Sequence, residues 1–191
     1  PAVYLATRET IDSTDKVGEY TSIALDRFGN PHISYSYYVS DYDLKYAYWT
    51  GAGWSTSKVD SAGSVGEHTS IALDGNGFPH ISYYDFTNKD LKYARWDGTA
   101  WSTSTVDSAG TVGEHTSIAL DGNGFPHISY SDYRGVSDYD IKYASWTGTA
   151  WSTFTVDSAG SVGEYTSIAI DGNGNPHISY SYYVSDYDLK Y

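Results

Sequence analysis

Four glutamates occupy matching places in this sequence, each directly after a glycine and just before a short apolar stretch. Carboxylate oxygens are the ligands that Ca²⁺ prefers, and a cation would offset the repulsion between carboxylates that meet around an axis. We therefore consider Ca²⁺ as a cofactor held near a central channel. The alternative, which the repetition favours, is a structural role in which each glutamate binds backbone N–H groups or a lysine of a neighbouring repeat. The glutamates are Glu19, Glu67, Glu114 and Glu164, and the lysines are Lys45, Lys92, Lys142 and Lys190.

Loops of variable length carry a second set of polar residues. The loop has eight residues after Tyr35, seven after Tyr83 and ten after Tyr130. Loops often carry function on a rigid scaffold, and exposed tyrosine gives a large contact area at modest entropy cost. These loops predict a tyrosine-rich recognition surface, with neutral drift of surface loops as the alternative. Its candidate residues are Tyr37, Tyr38, Asp41, Tyr42, Tyr133, Asp138, Tyr139, Tyr182, Tyr183, Asp186 and Tyr187.

Histidines recur in two places, and for both we expect a structural role. One series follows a glycine-rich turn, where a hydrogen bond to that turn or to the next repeat is favoured over a metal site. A second pair, His68 and His115, takes the place of Tyr20 and Tyr165 beside the glutamates. Interchange with tyrosine indicates an aromatic hydrogen-bonding role, and a His-Glu metal site is the alternative. The first series is His32, His80, His127 and His177.

The elements that must position these residues are internal repeats. The block 17–46 returns almost unchanged at 162–191, and further copies begin at Val65 and Val112. The steps between copies are 48, 47 and 50 residues, and the variable loop accounts for the whole difference. A period in this range predicts one supersecondary unit per repeat.

Each repeat is predicted to contain four short strands, because apolar residues alternate in short runs between Gly, Asn, Asp and Pro. The turn Asp74-Gly-Asn-Gly-Phe-Pro79 joins the first pair as a hairpin. The last pair is joined by a loop that begins at Trp96 and ends at Trp101, whose rings can stack across it. In the second copy the strands are Thr69 to Asp74, His80 to Tyr84, Leu91 to Trp96 and Trp101 to Val106.

The predicted fold is all-β: a single domain, 1–191, forming a four-bladed β-propeller of four-stranded antiparallel blades. The segment Tyr4 to Asp12 aligns with the fourth strand of the other copies, so the N-terminal strand is expected to close the last blade. Alternatively, the chain is a window on a longer array or pairs into a larger ring. The blades are about 17–60, 65–107, 112–157, and 162–191 plus 1–12.

The amino-acid composition limits the classes of partner that this chain could bind. With 24 acidic and 11 basic residues the net charge is −13, which argues against nucleic acid and anionic membranes. No apolar run is long enough to insert into a bilayer. The 21 tyrosines, with abundant Ser, Thr, Gly and Asp, favour an extracellular or cell-surface location.

The repeats resemble those of secreted bacterial and archaeal β-propellers, through Asp-Gly-Asn-Gly-x-Pro-His-Ile-Ser-Tyr and Asp-Leu-Lys-Tyr-Ala-x-Trp. The resemblance covers nearly the whole chain. The turn at Asp74 is also partly similar to the Asp-box of sialidase-type propellers, although Pro-His-Ile replaces the aromatic residue that usually follows. Lectin propellers are similar in presenting equivalent pockets on equivalent blades.

Catalysis is the weakest hypothesis. A sialidase-like site needs clustered arginines, whereas Arg8, Arg27, Arg95 and Arg134 occupy different places in the repeat. We therefore expect a non-enzymatic binding or surface-assembly scaffold, acting through the tyrosine-rich loops and strand edges. Its partners would be itself, as a homo-oligomer or filament, or surface glycans. The alternative is a multivalent carbohydrate-binding lectin, and a sialidase-like glycosidase ranks last.

Overall fold

The computed structural model describes residues 8–136, 138–183 and 185–191. Within these ranges the regular structure consists of sixteen strands in four antiparallel four-stranded sheets. No helix in the described part of the chain is long and apolar enough to cross a membrane. The first sheet contains β1 (Lys16–Leu25), β2 (Pro31–Tyr38), β3 (Tyr42–Trp49) and β4 (Trp54–Asp60).

The second and third sheets repeat this meander, while the fourth differs at both edges. Its inner edge is split into two short strands, β13 and β14, which both pair with β15. The second sheet contains β5 (Val65–Leu73), β6 (Pro79–Asp85), β7 (Asp90–Trp96) and β8 (Trp101–Asp107). The third contains β9 (Thr111–Leu120), β10 (Pro126–Gly135), β11 (Asp138–Trp146) and β12 (Trp151–Asp157). The fourth contains β13 (Ser161–Val162), β14 (Ser167–Ile170), β15 (Pro176–Tyr183) and β16 (Tyr187–Lys190).

The predicted strands of the second copy match β5 to β8 to within a few residues at each end, and the predicted hairpins are confirmed. In the turn after β5, the Asp74 carboxylate accepts hydrogen bonds from the backbone N–H groups of Asn76 and Phe78, both at 2.9 Å. Such an Asx turn fixes the chain reversal locally. The rings of Trp96 and Trp101 also meet across their loop, with centroids 5.6 Å apart.

Neighbouring sheets pack through their inner strands, in the order β1, β5, β9, β14. The core between the first two sheets contains Leu44 and Tyr46 from one side and Val65, Ile71 and Tyr83 from the other. The same core recurs between the second and third sheets. The fold is therefore one interface repeated along the chain, which is why the sequence repeats so closely.

The structure does not show closure of the last blade by an N-terminal strand. Residues 8–15 form no strand, and residues 1–7 lie outside the described ranges. Where it is described, this segment lies against the first sheet: Glu9 accepts a hydrogen bond from the indole N–H of Trp54 at 3.1 Å, and Asp12 accepts one from the hydroxyl of Tyr35 at 2.9 Å. Asp12 therefore takes the same place relative to the first sheet that Asp60 takes relative to the second sheet, since each accepts a hydrogen bond from a tyrosine hydroxyl of that sheet.

Candidate functional site

The structure assembles the predicted tyrosine-rich loops into ring pairs at one end of the sheets. The rings of Tyr38 and Tyr42 lie 4.9 Å apart in the first sheet, and those of Tyr133 and Tyr139 lie 5.1 Å apart in the third. The fourth sheet repeats the pair with Tyr183 and Tyr187, 5.0 Å apart. The hydroxyl of Tyr37 donates to Asp15 at 3.2 Å, and Lys190 lies over the ring of Tyr182 at 4.2 Å. The carboxylates Asp41, Asp138 and Asp186 are exposed.

The predicted glutamates lie beside these tyrosines and accept hydrogen bonds from them. Tyr42 donates to Glu19 at 2.6 Å, and Tyr187 donates to Glu164 at 3.2 Å. Burial and the neighbouring carboxylates raise the pKa of Glu67, and burial raises the pKa of Glu114. In the described residues no group of three or more His, Cys, Asp or Glu side chains could hold a metal ion. The Ca²⁺ hypothesis therefore has no assembled ligand set.

The lysines that recur in each repeat bind aspartates, which corrects the expected pairing with the glutamates. Lys92 and Tyr83 both donate to the Asp60 carboxylate, at 2.5 and 2.6 Å. Burial alone would raise the pKa of Asp60, but these two hydrogen bonds outweigh it and lower that pKa. Lysine and tyrosine face the same side because they are direct cross-strand partners. The other sets are Lys45 with Asp12, Lys142 with Asp107 and Lys190 with Asp157.

The first histidine series has the expected structural role, with a different partner from the one expected. In the first three sheets the imidazole Nδ1 pairs with a tyrosine hydroxyl of the third strand of the same sheet, at 2.5 Å between His32 and Tyr46 and again between His80 and Tyr93. In the fourth sheet the partner is Tyr191, which follows β16. The aspartate of the neighbouring turn is farther away, at 4.0 Å from Nε2 in the first and second sheets.

The second pair of histidines forms part of a row of rings along the inner strands. The ring centroid of His68 lies 4.8 Å from that of Tyr20 and 4.6 Å from that of His115. The centroid of His115 in turn lies 4.7 Å from that of Tyr165. Burial, with His115 close by, lowers the pKa of His68 to about 4, so this ring is neutral at physiological pH. The row is an aromatic contact between successive sheets. The aromatic part of the role predicted from the interchange with tyrosine is thus seen, while its hydrogen-bonding part stays a prediction.

A large concave feature lies at the opposite end of the sheets, between the second and third sheets. It is a cleft of about 820 Å³, which we call the Arg95 cleft. The turns after β5 and β9 form two of its walls, with Asp74 and Asn76 from the first and Asp121 and Asn123 from the second. Strands β6, β7, β11 and β12 supply further wall residues, among them His80, Tyr93, Arg95, Trp146 and Trp151, and β8 adds Ser102 and Ser104.

Aromatic rings fill one side of the Arg95 cleft. The indole of Trp151, at the start of β12, reaches the neighbouring sheet and contacts the ring of Tyr93 edge-on, with centroids 5.1 Å apart. Trp146 contacts Trp151 at 5.5 Å across their hairpin loop. Both tryptophans are half-buried, so part of each ring faces the cleft.

The positive charge in the Arg95 cleft comes from an exposed guanidinium beside a buried imidazole. Arg95 on β7 is the cross-strand partner of His80 on β6. Burial lowers the pKa of His80 to about 4, and the guanidinium adds to this, while Asp74 opposes it. Nδ1 of His80 pairs with the hydroxyl of Tyr93, and among the described residues the other ring nitrogen, the buried Nε2, has no hydrogen-bond partner. In a neutral imidazole one ring nitrogen donates and the other accepts, so Nε2 has one hydrogen bond left to make in either tautomer.

A matched cleft between the first and second sheets is smaller, about 390 Å³. There the place of Arg95 is taken by Tyr48, whose ring stacks on Tyr46 at 5.7 Å and on His32 at 5.8 Å. The stacked tyrosine occupies space that the extended guanidinium leaves open. In the third sheet the same position is Ser145. The Arg95 cleft therefore differs from the smaller cleft at this position, and the turn of the preceding sheet differs as well, with Arg27 and Phe28 in the places of Gly75 and Asn76.

The Arg95 cleft was missed by the sequence reasoning, which placed the candidate residues on the opposite end of the sheets. The sequence did contain a signal. Arg95 places a charged residue in the Tyr-Ala-x-Trp pattern, between two aromatic residues that recur in the first three copies. A charge that appears in one repeat only is a departure from the shared structural role, and such departures are where a specific site can arise.

Comparisons with known proteins define the class of the fold. No protein-family model matches the sequence, and no curated protein matches it. Among solved structures, the chain is similar to a protein of unknown function from Dyadobacter fermentans, with TM-score 0.63 and 12% identity over 85% of this chain and 48% of that chain. It is similar to a mutant of the Aleuria aurantia lectin in complex with α-methyl-L-fucoside, with TM-score 0.61 and 15% identity over 96% of this chain and 63% of the lectin.

An ulvan lyase, a polysaccharide lyase, is similar to the same degree, with TM-score 0.62 and 18% identity over 97% of this chain and 52% of the lyase. At these identities the likeness shows the fold alone: the chain has the β-propeller fold shared by lectins and polysaccharide-degrading enzymes. It spans 48–63% of the length of these three proteins. Since both binding proteins and enzymes are among them, the fold does not decide between the two.

Proposed function

We propose that this chain is a carbohydrate-binding protein and that the Arg95 cleft is its principal glycan site. The observation that carries the proposal is the meeting of Arg95, Trp146 and Trp151 in a cleft of about 820 Å³, between polar turns. A sugar ring has one apolar C–H face and a rim of hydroxyls. A site with an aromatic wall and charged or amide groups at its edge complements both.

The polar rim offers each kind of hydrogen bond that a sugar hydroxyl can use. Arg95 supplies N–H donors in a fixed fork. The turn residues Asn76 and Asn123 add amide groups, and the carboxylate of Asp74 lies 4.0 Å from the imidazole Nε2 of His80. A hydroxyl that bridges this gap can donate or accept, so it would also bind the buried Nε2, whose missing hydrogen bond costs about 1–3 kcal/mol.

The proposed activity is binding without turnover. Glycoside hydrolysis needs a carboxylic acid whose pKa is raised so that it can protonate the leaving oxygen. In the cleft, burial would raise the pKa of Asp121, but hydrogen bonds from the backbone N–H groups of Phe125 and Asn123 outweigh it and lower that pKa. Asp74 is engaged by an equivalent turn. Both carboxylates thus serve as hydrogen-bond acceptors. The similarity to a lectin crystallised with a fucoside supports the same proposal, and the acidic, tyrosine-rich composition fits a location outside the cell or on its surface.

A glycan array tests the proposal, with α-methyl-L-fucoside as the first soluble probe. We expect saturable binding by the native chain and loss of at least tenfold in affinity in Arg95→Ala, which corresponds to about 1.4 kcal/mol. Arg95 is exposed, so this substitution leaves the fold intact. Trp151→Phe tests the aromatic wall and should weaken binding while preserving packing on Tyr93.

Two variants serve as controls. Tyr48→Ala changes the same repeat position in the smaller cleft, and Asp41→Ala changes an exposed carboxylate of the tyrosine-rich loops. Both should bind as the native chain does. Binding that survives Arg95→Ala and is lost in Asp41→Ala would place the glycan at the other end of the sheets and refute the proposal. No binding to any array glycan would refute it as well.

A further inference from the structure

Every boundary between neighbouring sheets is built from the same contacts. A glycine of the following sheet lies so close to the preceding one that a Cβ on Gly66 would stand 2.7 Å from the Cα of Leu44. A Cβ on Gly113 would stand equally close, at 2.7 Å, to the Cα of Leu91. The third boundary repeats this contact between Gly163 and Ile141, with a distance of 2.8 Å.

Hydrogen bonds across these boundaries also recur. A threonine of the following sheet donates to a serine of the preceding one, at 2.9 Å from Thr69 to Ser34 and 2.8 Å from Thr116 to Ser82. The backbone N–H of Ile71 binds the hydroxyl of Ser22 at 3.1 Å, and the corresponding bond is found at both later boundaries. We call the side of a sheet that carries the glycine and the threonine its leading face, and the side that carries the serines and the leucine or isoleucine its trailing face. Each boundary therefore joins the leading face of one sheet to the trailing face of the sheet before it.

The leading face of the first sheet is open. Ile23 occupies the place of Ile71, yet it is 63% exposed where Ile71 is 6% exposed. A Cβ built on Gly18 would meet nothing within 4 Å. Thr21, in the place of Thr69, is exposed. With Ile33 and residues 9–12 of the N-terminal segment, these residues line an apolar cleft of about 440 Å³ that remains open beside that segment.

The trailing face of the fourth sheet is open as well. Leu189 occupies the place of Leu91 and is 83% exposed, whereas Leu91 is fully buried at 0%. Ser167, in the place of Ser22, is exposed too. In the part of the chain that the structure describes, no strand of the first sheet packs on a strand of the fourth as extensively as neighbouring sheets pack on each other. The two open faces are the complementary halves of a boundary that the chain already builds three times.

We infer that the occupant of these faces is a second copy of this chain, with the fourth sheet of one copy packed on the first sheet of the next. The internal boundaries show which groups would meet: Leu189 of one copy against Gly18 of its neighbour, and Ser167 against the backbone N–H of Ile23. The interface is heterologous, so association proceeds head to tail and either closes into a ring or continues. This inference is independent of glycan binding.

The test is the mass of the full chain by light scattering and analytical ultracentrifugation over a wide concentration range. The expected mass is at least twice the chain mass of 21.0 kDa. Ile23→Arg places a charge on the leading face, and Leu189→Arg places one on the trailing face, so each variant alone should remain at 21.0 kDa. Thr21→Arg is a second variant of the leading face. Val39→Arg, an exposed position in the β2–β3 loop, is the control and should associate as the native chain does.

Mixing the two variants gives the sharpest result. Ile23→Arg keeps an intact trailing face and Leu189→Arg keeps an intact leading face, so an equimolar mixture should form one interface and stop at twice 21.0 kDa. Circular dichroism should show the same β content in all variants, since the substituted side chains are exposed. A native chain that stays at 21.0 kDa throughout, or a mixture that forms no complex, would overturn the inference.

Discussion

The close approach between sheets can be measured with a matched pair of glycine substitutions, Gly113→Ala and Gly18→Ala. Both glycines occupy the same position in their repeats and both have positive φ, 106° for Gly113 and 90° for Gly18. They differ in surroundings, because a Cβ on Gly113 would stand 2.7 Å from the Cα of Leu91 while one on Gly18 would meet nothing within 4 Å. The difference between the two variants isolates the inter-sheet contact.

The magnitude follows from these distances. The left-handed backbone costs either alanine about 1–2 kcal/mol. Ordinary contact begins near 3.4 Å, so in Gly113→Ala the second and third sheets must separate locally by about 0.7 Å against the backbone of Leu91. Overpacking of this kind costs about 1–3 kcal/mol more. We therefore expect Gly113→Ala to be less stable than Gly18→Ala by about 1–3 kcal/mol.

Urea denaturation followed by tryptophan fluorescence provides the assay, with both variants made in the Leu189→Arg background so that association does not contribute. Equal m-values would show that the same surface unfolds in each variant. Equal losses of unfolding free energy in the two variants would refute the reasoning, because they would mean that the sheets do not approach as closely as the structure shows.

Other predictions concern the buried charges. Asp107→Asn should lower the unfolding free energy by about 3–5 kcal/mol, since it leaves the ammonium of Lys142 buried without its carboxylate; Asp43→Asn, which removes the partner of the half-exposed Lys58, should cost less than about 1 kcal/mol. Similar losses for the two variants in urea would contradict this. Stability should also fall in acid in two stages. The pKa of His80 is lowered from 6.5 to about 4 by burial, so its contribution is complete above pH 6.5 and is lost as the pH falls toward 4. Burial alone would raise the pKa of Asp107, but hydrogen bonds from Lys142 and Tyr130 outweigh it and lower that pKa below 3.8. The stability that Asp107 contributes is therefore complete above pH 3.8 and is lost as the pH falls below 3.8 through the lowered pKa. A melting temperature that is constant between pH 7 and 4 would contradict the first stage.

The repeats made much of the fold predictable. Alternating apolar residues and the Asp-x-Asn-Gly turn predict β5 to β8 because both signals are local and recur in every copy. The stacking of Trp96 on Trp101 was predictable for the same reason, since a short hairpin loop brings its two ends together. Local sequence patterns thus predict the strands and turns within a sheet, but they do not predict which residues meet between neighbouring sheets.

Partners across sheets were harder to predict. The lysines were expected to bind the glutamates, yet Lys92 binds Asp60, which lies 32 residues earlier at the end of the preceding sheet. A signal existed in the recurring Val-Asp-Ser-Ala-Gly, which begins at Val59, Val106 and Val156. Deciding between aspartate and glutamate required the orientation of the pleat, which is set by packing between sheets rather than by the strand alone.

The proposed site depends on the same long-range geometry. Arg95 and Trp151 lie in different repeats, and their cleft exists because β12 of the third sheet reaches Tyr93 of the second. Sequence reasoning favoured loops of variable length, whereas this cleft is formed by turns of constant length. The departure of Arg95 from the repeat is visible in the sequence, but its position in a cleft becomes evident only when the matched clefts are compared.

The most direct test of glycan binding in the Arg95 cleft is the indole N–H region of the NMR spectrum, which contains signals from six tryptophans. Substitution of single tryptophans by phenylalanine assigns the signals. On titration with the best array glycan, we expect those of Trp146 and Trp151 to shift saturably, while those of Trp49 and Trp54 in the first sheet stay in place. Shifts confined to Trp49 and Trp54, or no shift at saturating glycan, would contradict the central claim.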